Sequence, residues 1–120
     1  MKIIHLKDVK KNKVGAPLFT GTIRRQSPMA GTPESDLSVD YVHFPKGIRN
    51  KFHTHSNDQV LIVTRGKGIV ATKKESKTIK VGDVAWIPAR EVHWHGAAPD
   101  SAFTHISVTR AHTKLTQMEK

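Results

Sequence analysis

The sequence predicts an all-β protein built as a closed or double-sheet barrel, and three observations carry that prediction. Sustained helical periodicity is absent across the 120 residues, short β-rich runs recur, and turn residues separate those runs at hairpin spacing. The length suits one compact domain over residues 1–120, because a second hydrophobic core would be hard to fit.

Taken in chain order, the segment Asp8–Lys13 has no sustained apolar face and is not read as a helix. Gln26–Asp36 holds two Pro, one Gly and several small polar residues, and is predicted as a loop over an opening. Ser38–Phe44 alternates as a strand and ends at Pro45-Lys46-Gly47. Gln59–Arg65 is predicted as a buried strand, stopped by Gly66-Lys67-Gly68. Ile69–Thr72 and Thr78–Val81 flank a polar tip at Lys73–Lys77 and predict a hairpin. Val84–Ile87 is a further strand ended by Pro88, and His93–Gly96 and Ala102–Thr109 follow, separated by the Ala97-Ala98-Pro99-Asp100 turn. Ala111–Lys120 is expected to form a short helix or to fray.

Composition excludes several classes. There is no Cys, hence no disulfide, no thiolate nucleophile and no sulfur-ligated metal. No apolar run approaches a membrane span, and the opening MKIIHLKDVK is too charged for a signal-peptide core. The expectation is a cytoplasmic, soluble chain. Against 10 Asp and Glu stand 20 Lys and Arg, a net charge of +10. Five of those lysines, Lys67, Lys73, Lys74, Lys77 and Lys80, crowd the predicted hairpin with no aromatic among them to stack a base. The excess is therefore read as a solvated basic surface that also protects edge strands, with no specific nucleic-acid partner.

The sharpest feature is histidine. His53 and His55 lie two apart on an extended segment, so their side chains project to one face, and Gln59 opens the next apolar strand. His93-Trp94-His95 repeats the arrangement after Pro88. Imidazole ligates zinc, iron, nickel and copper, and mixed nitrogen and oxygen sites also take manganese. Spacing alone fits either a metal site or a set of satisfied barrel histidines.

The surrounding residues match a known pattern. Gly47, His53, His55, Gln59 and Gly66 resemble the first motif of the cupin superfamily, and Gly82, Pro88 and His93 resemble the second. Gln59 stands where that motif carries Glu, Arg90 where it carries Gly, and Ala97 where it carries Asn. Further stretches, Phe19-Thr20-Gly21-Thr22, Gly82–Trp86, His93–Pro99 and Thr104-His105-Ile106, resemble small bacterial cupins. Among these are carboxymuconolactone-decarboxylase-associated cupins and manganese-dependent cupin hydroxynitrile lyases, in which Gln replaces the motif Glu. The resemblance covers about residues 19–109. It implies a double-stranded β-helix (jelly-roll) barrel, a metal held by His53, His55, Gln59 and His93, and a homodimer or homotetramer.

Three imidazoles and an amide leave the charge of a divalent ion uncompensated. That favours Lewis-acid, redox-neutral chemistry on a small hydroxy or carbonyl substrate. The amide oxygen favours Mn(II), and zinc, iron, nickel or copper would also be accepted. If the face bearing His105, Ser107 and Thr109 points inward, as the resemblance implies, His105 is the leading general base and His95 the second. Both would otherwise orient a ligand. Asp40 shares parity with Val42 and Phe44 and enters the pocket if that face is the inner one. Trp86 and Trp94 are expected to pack the barrel or a subunit interface. The competing functions are a cupin-type dioxygenase and a non-catalytic module that binds a small ligand.

Overall fold

The computed structural model describes residues 1–32 and 35–120. Pro33 and Glu34, inside the predicted Gln26–Asp36 loop, lie outside the described residues. Among those described are a 3-10 turn at Leu6–Asp8 and the strands β1 (Asn12–Val14), β2 (Ile23–Ala30), β3 (Leu37–Phe44), β4 (His53–His55), β5 (Gln59–Thr72), β6 (Ser76–Lys80), β7 (Val84–Ile87), β8 (His93–Ala97), β9 (Phe103–Arg110) and β10 (Leu115–Gln117). The strand pairings are antiparallel, and the all-β expectation holds. Among the described residues, no helix is long and apolar enough to cross a membrane.

Two sheets curl against each other and share β5. Its first half pairs with β9 and β7 in a sheet ordered β1-β2-β3-β9-β5-β7, and its second half pairs with β8 and β6 in a sheet ordered β6-β5-β8-β4-β10. This corrects the stop expected at Gly66-Lys67-Gly68. The chain bends there without leaving its ladder, because the register shifts between Val63 and Arg65 and Gly66 adopts φ +70°. A Cβ on Gly66 would also collide with the Ala102 carbonyl oxygen.

Two further expectations are overturned. Gln26–Ala30, read as loop, completes β2. Pro28 is tolerated because the β2–β3 register shifts between Gln26 and Met29, a bulge where a missing N–H breaks no ladder bond. Ala111–Lys120 is neither helical nor frayed. Its Leu115–Gln117 segment pairs with β4, burying an edge that would otherwise be open.

Inward residues set two different ends of the barrel. One end is apolar, with Phe19, Ile23, Phe44, Val63, Ile79 and Phe103 buried together. Phe44 stacks at tilted angles on Phe19 and Phe103, with centroids 5.9 and 5.8 Å apart. Truncating such a ring to Ala costs about 3–5 kcal/mol, so this end carries much of the stability. The other end holds the histidines. Outside the barrel, His43 donates through Nε2 to Gln26 Oε1 (2.7 Å), and Gln26 Nε2 donates to the Leu6 and Val9 carbonyls (3.0 Å each). A residue with no role in the sequence reading thus ties the N-terminal segment to the sheet.

Arg90, where the resembled motif has Gly, sits at φ 69°, the left-handed region that penalises a Cβ. Its N–H donates to the His55 carbonyl at 2.8 Å, so the turn forms despite the substitution. Arg90→Gly is expected to raise stability by up to about 1 kcal/mol, the strain relieved less the backbone entropy regained by Gly. Gly66→Ala should lower it by about 2 kcal/mol or more. Urea midpoints of the two variants against the parent chain check both signs.

Candidate metal centre

The site begins with alternation. In β4 the side chains of His53 and His55 point to one face and Thr54 to the other, and both imidazoles are buried. Antiparallel pairing with β8 sets His93 directly opposite His53. The same parity turns His95 inward and leaves Trp94 outside, beneath the Arg49 guanidinium at 4.6 Å. Three residues make β4 a short strand, so its neighbours hold it. On its other edge lies β10, and Glu119 beyond that strand accepts the Phe52 N–H (2.9 Å) and pairs with Arg49 (3.0 Å).

His53, His55 and His93 each offer a ring nitrogen, and these atoms lie within 4.8 Å of one another. Their own hydrogen bonds define which atoms converge. The Nδ1 of His53 lies 2.6 Å from the Lys51 carbonyl and that of His93 lies 2.9 Å from the Glu91 carbonyl. A carbonyl can only accept, so both Nδ1 atoms carry the proton and both Nε2 atoms present lone pairs. Gln59 Nε2 donates to Ser107 Oγ (2.9 Å), which turns Gln59 Oε1 to within 3.3 Å of His93 Nε2. Two acceptors face each other with no proton between them. That arrangement repels itself unless a cation lies among them, so the donor set fits a metal ion.

Electrostatics reinforce the neutral state. Burial, followed by the influence of His93 and His55, pushes the His53 pKa down to about 3 despite the Lys51 hydrogen bond. Burial, with His93 beside it, takes His55 down to about 4. His93 is lowered mainly by burial, and His95 lies well below its ordinary value for the same reason, with His105 and the other imidazoles adding to it.

A cavity of about 270 Å³ opens beside these residues. His105 lines it, fully buried, and neither of its ring nitrogens has a hydrogen-bond partner among the described residues. Burial drives its pKa to about 4. Its ring lies 4.9 Å from that of His95, centroid to centroid. Asn50 fixes His95 by accepting its backbone N–H (2.8 Å) and donating Nδ2 to its ring Nε2 (3.2 Å). Asp40, on the inner face of β3 with the buried Val42 and Phe44, lines the same cavity and stands opposite Ser107 in the β3–β9 register. The structure thus gathers His53, His55, Gln59, His95, His105 and Asp40 around one cavity, with His93 behind them against His53, His55 and Gln59. Trp86 stands apart, 65% exposed on the outer surface with its Nε1–H donated to Asp58.

Among the cavity residues that sequence reasoning missed, Asn50 and Arg25 bear on its chemistry. Asn50 lies in an irregular stretch whose spacing carries no signal. Arg25 lies in β2, hidden by the turn-like composition around Pro28. The pairing of β2 with β3 is what brings Arg25 to the wall.

Because these imidazoles are neutral in the folded chain and titrate near 6.5 when unfolded, protons favour the unfolded state below that value. Stability of the metal-free protein should therefore be fully present above pH 6.5 and be lost steadily as the pH falls toward 4. Urea midpoints measured in EDTA across that window should decline, and a flat profile would contradict it.

The family described as Cupin domain matches residues 40–109. An (R)-mandelonitrile lyase from Granulicella tundricola is 38% identical over 110 residues, covering 90% of this chain and 83% of the relative. The crystal structure of a cupin-like protein from Thermotoga maritima is similar with a TM-score of 0.85 at 33% identity, covering 90% of this chain and 84% of the other. The polyketide cyclase RemF from Streptomyces resistomycificus, at 16% identity, gives a TM-score of 0.87 and covers 100% of this chain and 87% of its own, a likeness of fold alone.

Proposed function

The chain belongs to the cupin domain family, and from that premise we propose that it is a metal-dependent, redox-neutral lyase or isomerase acting on a small hydroxy or carbonyl compound. The observation that carries this reading is the convergence of acceptor atoms from His53, His55, His93 and Gln59 beside a cavity walled by an unpartnered His105. Its 38% identity to an (R)-mandelonitrile lyase supports a hydroxynitrile-lyase-like activity. His53, His55, His93 and Gln59 would hold a divalent ion, Mn(II) foremost because of the amide oxygen, and its uncompensated positive charge would acidify a nearby substrate hydroxyl.

The chain's own residues supply the rest. His105, neutral at pH 7, accepts the substrate hydroxyl proton at a ring nitrogen and returns it to the leaving group. His95, held by Asn50, positions His105 and is the second candidate to take that proton. Asp40 offers a further proton acceptor across the cavity. Phe44 and Phe103 lie beside His105, with ring centroids 5.6 and 5.3 Å away, and keep water from the base.

The test uses purified protein with its metal content measured, and (R)-mandelonitrile as substrate. EDTA should lower turnover at least ~100-fold and Mn(II) should restore it, while the His53→Ala/His55→Ala double variant should retain neither metal nor activity. His105→Gln should lower kcat about 10²–10⁴-fold with metal content unchanged. Turnover that survives the double substitution sinks the proposal. Strict O₂ dependence with iron or copper would select the dioxygenase, and tight ligand binding without product the non-catalytic module.

Self-association belongs to the same proposal. Ile62, Val84 and Trp86 stand on the outer face where β5 pairs with β7, Val84 opposite Ile62 and Trp86 opposite Val60, at 36%, 63% and 65% exposure. An apolar strip of this kind favours burial against a second copy. Light scattering after gel filtration should give a dimer or tetramer for the parent chain and a smaller species for Trp86→Lys.

A further inference from the structure

Arg25 has no place in the reading above. It lies in a cross-strand row that runs Asn12, Arg25, Val42, His105, Val63 through β1, β2, β3, β9 and β5. Side chains in one row of a sheet share a face. Val42, His105 and Val63 are buried inside the barrel, at 7%, 0% and 3% exposure, so Arg25 points inward and lines the same cavity. Two strand spacings, about 10 Å, separate its backbone from that of His105.

Arg25 is half-buried, and a guanidinium partly withdrawn from water gains from an acceptor that replaces the lost hydration. Among the described residues the ion pairs are Arg49–Glu119, Lys67–Asp100 and Lys77–Glu75, and none involves Arg25. Asp40 lines the same wall, but it stands beside Ser107 in the next row and makes no ion pair with Arg25. Val42 stands opposite Arg25 in the β2–β3 register, and Leu18 and Phe19 also line the cavity. The cavity therefore holds neutral imidazoles and, two strands from His105 in the same sheet, a fork of unused cationic donors. Such a fork matches a carboxylate in two parallel hydrogen bonds and has no equivalent match to a nitrile or an amide.

We propose that Arg25 forms a carboxylate subsite, so that the compound entering this cavity is a small hydroxy or oxo acid held by its anionic end at Arg25. That its other end is a reacting hydroxyl or carbonyl rests on the function proposed above. The subsite itself depends only on the position and charge of Arg25. A volume of about 270 Å³ admits roughly a dozen non-hydrogen atoms, enough for an aryl hydroxy acid.

Calorimetric titration with mandelate and with mandelamide, which differ only in the anionic group, tests the subsite. The full chain is titrated both stripped of metal and loaded with Mn(II), because a bound cation would itself attract a carboxylate. The parent chain should bind mandelate at least ~10-fold more tightly than mandelamide in both forms. Arg25→Gln should bring the two affinities within about 2-fold of each other in the stripped form, and Arg25→Lys should keep part of the preference. Thermal melts confirm that the variants fold, and Arg25→Met replaces Arg25→Gln if the latter melts early. Equal affinities in the parent chain, a preference that survives loss of Arg25, or no detectable mandelate binding overturns the proposal. Loss of lyase activity on every substrate with the Arg25-dependent preference intact overturns the catalytic reading alone. Turnover of the neutral nitrile without that preference overturns the subsite alone.

Discussion

One pairing governs the site, His53 opposite His93 across β4 and β8. A slip of one residue would turn His53 and His55 to the outer face and bring Thr54 inward, dismantling the acceptor set at once. Yet this pairing is the shortest ladder among the described strands, since β4 is three residues long and meets β8 at a single register position. Its security comes from outside. The C-terminal β10 flanks β4, Glu119 ties Phe52 and Arg49 to that edge, and the Arg90 N–H caps the His55 carbonyl. Gly96 lets β8 approach Arg49 so closely that a Cβ there would collide with backbone. Removing the tail strand would therefore act on the candidate ligands themselves and only indirectly on the core.

Burying five imidazoles in one barrel works against folding, since each could be solvated and charged in the unfolded chain. The apolar end offsets this, with three phenylalanines stacked against one another and Ile23 fully enclosed. The result is a divided interior: one half stabilises the barrel, and the other holds lone pairs in positions that only a cation or a substrate satisfies. Phe44 marks the border, with Phe19 on one side and the rings of His95 and His105 on the other. The net charge of +10 has little part in this, because much of it lies on the β5–β6 hairpin and the N-terminal segment.

What the sequence made legible follows from period and motif. Alternation in Ser38–Phe44 and Ala102–Thr109 identified β3 and β9 to within a residue, whereas the parity of Asp40 with Val42 and Phe44 left open which face is inner until the structure turned that face to the cavity. The cupin resemblance supplied the closure that alternation could not. Of the features that escaped, three have a clear physical reason. In β2 a bulge absorbs Pro28, so a strand carries the composition of a loop. At Gly66 a positive φ bends a strand without ending it, and a local turn signal becomes a long-range feature. In β10 three residues are too few to alternate, and their conformation is dictated by an edge more than fifty residues away. Asn50 and Arg25 were missed with these elements because their roles exist only through tertiary partners, His95 in one case and the inner row of β3 and β9 in the other.

The bend at Gly66 has a mechanistic consequence. His53, His55, His93 and His95 belong to the sheet built on the second half of β5, whereas Gln59, His105, Asp40 and Arg25 belong to the sheet built on its first half. Three histidine donors and the candidate base therefore sit on different sheets, and their separation is set by the angle between those sheets. Gln59 is the crossing point, for its amide reaches from the first sheet toward His93 while Ser107 holds its other end. Two things fix that angle: the register shift in β5 and the aromatic packing between the sheets. A substitution in the apolar end that lets the sheets close or splay by even a fraction of an ångström would move the candidate base relative to the candidate ligands without touching either. Close-packed interiors transmit such shifts because they have no slack to absorb them. The apolar end thus sets the working distance of the polar one.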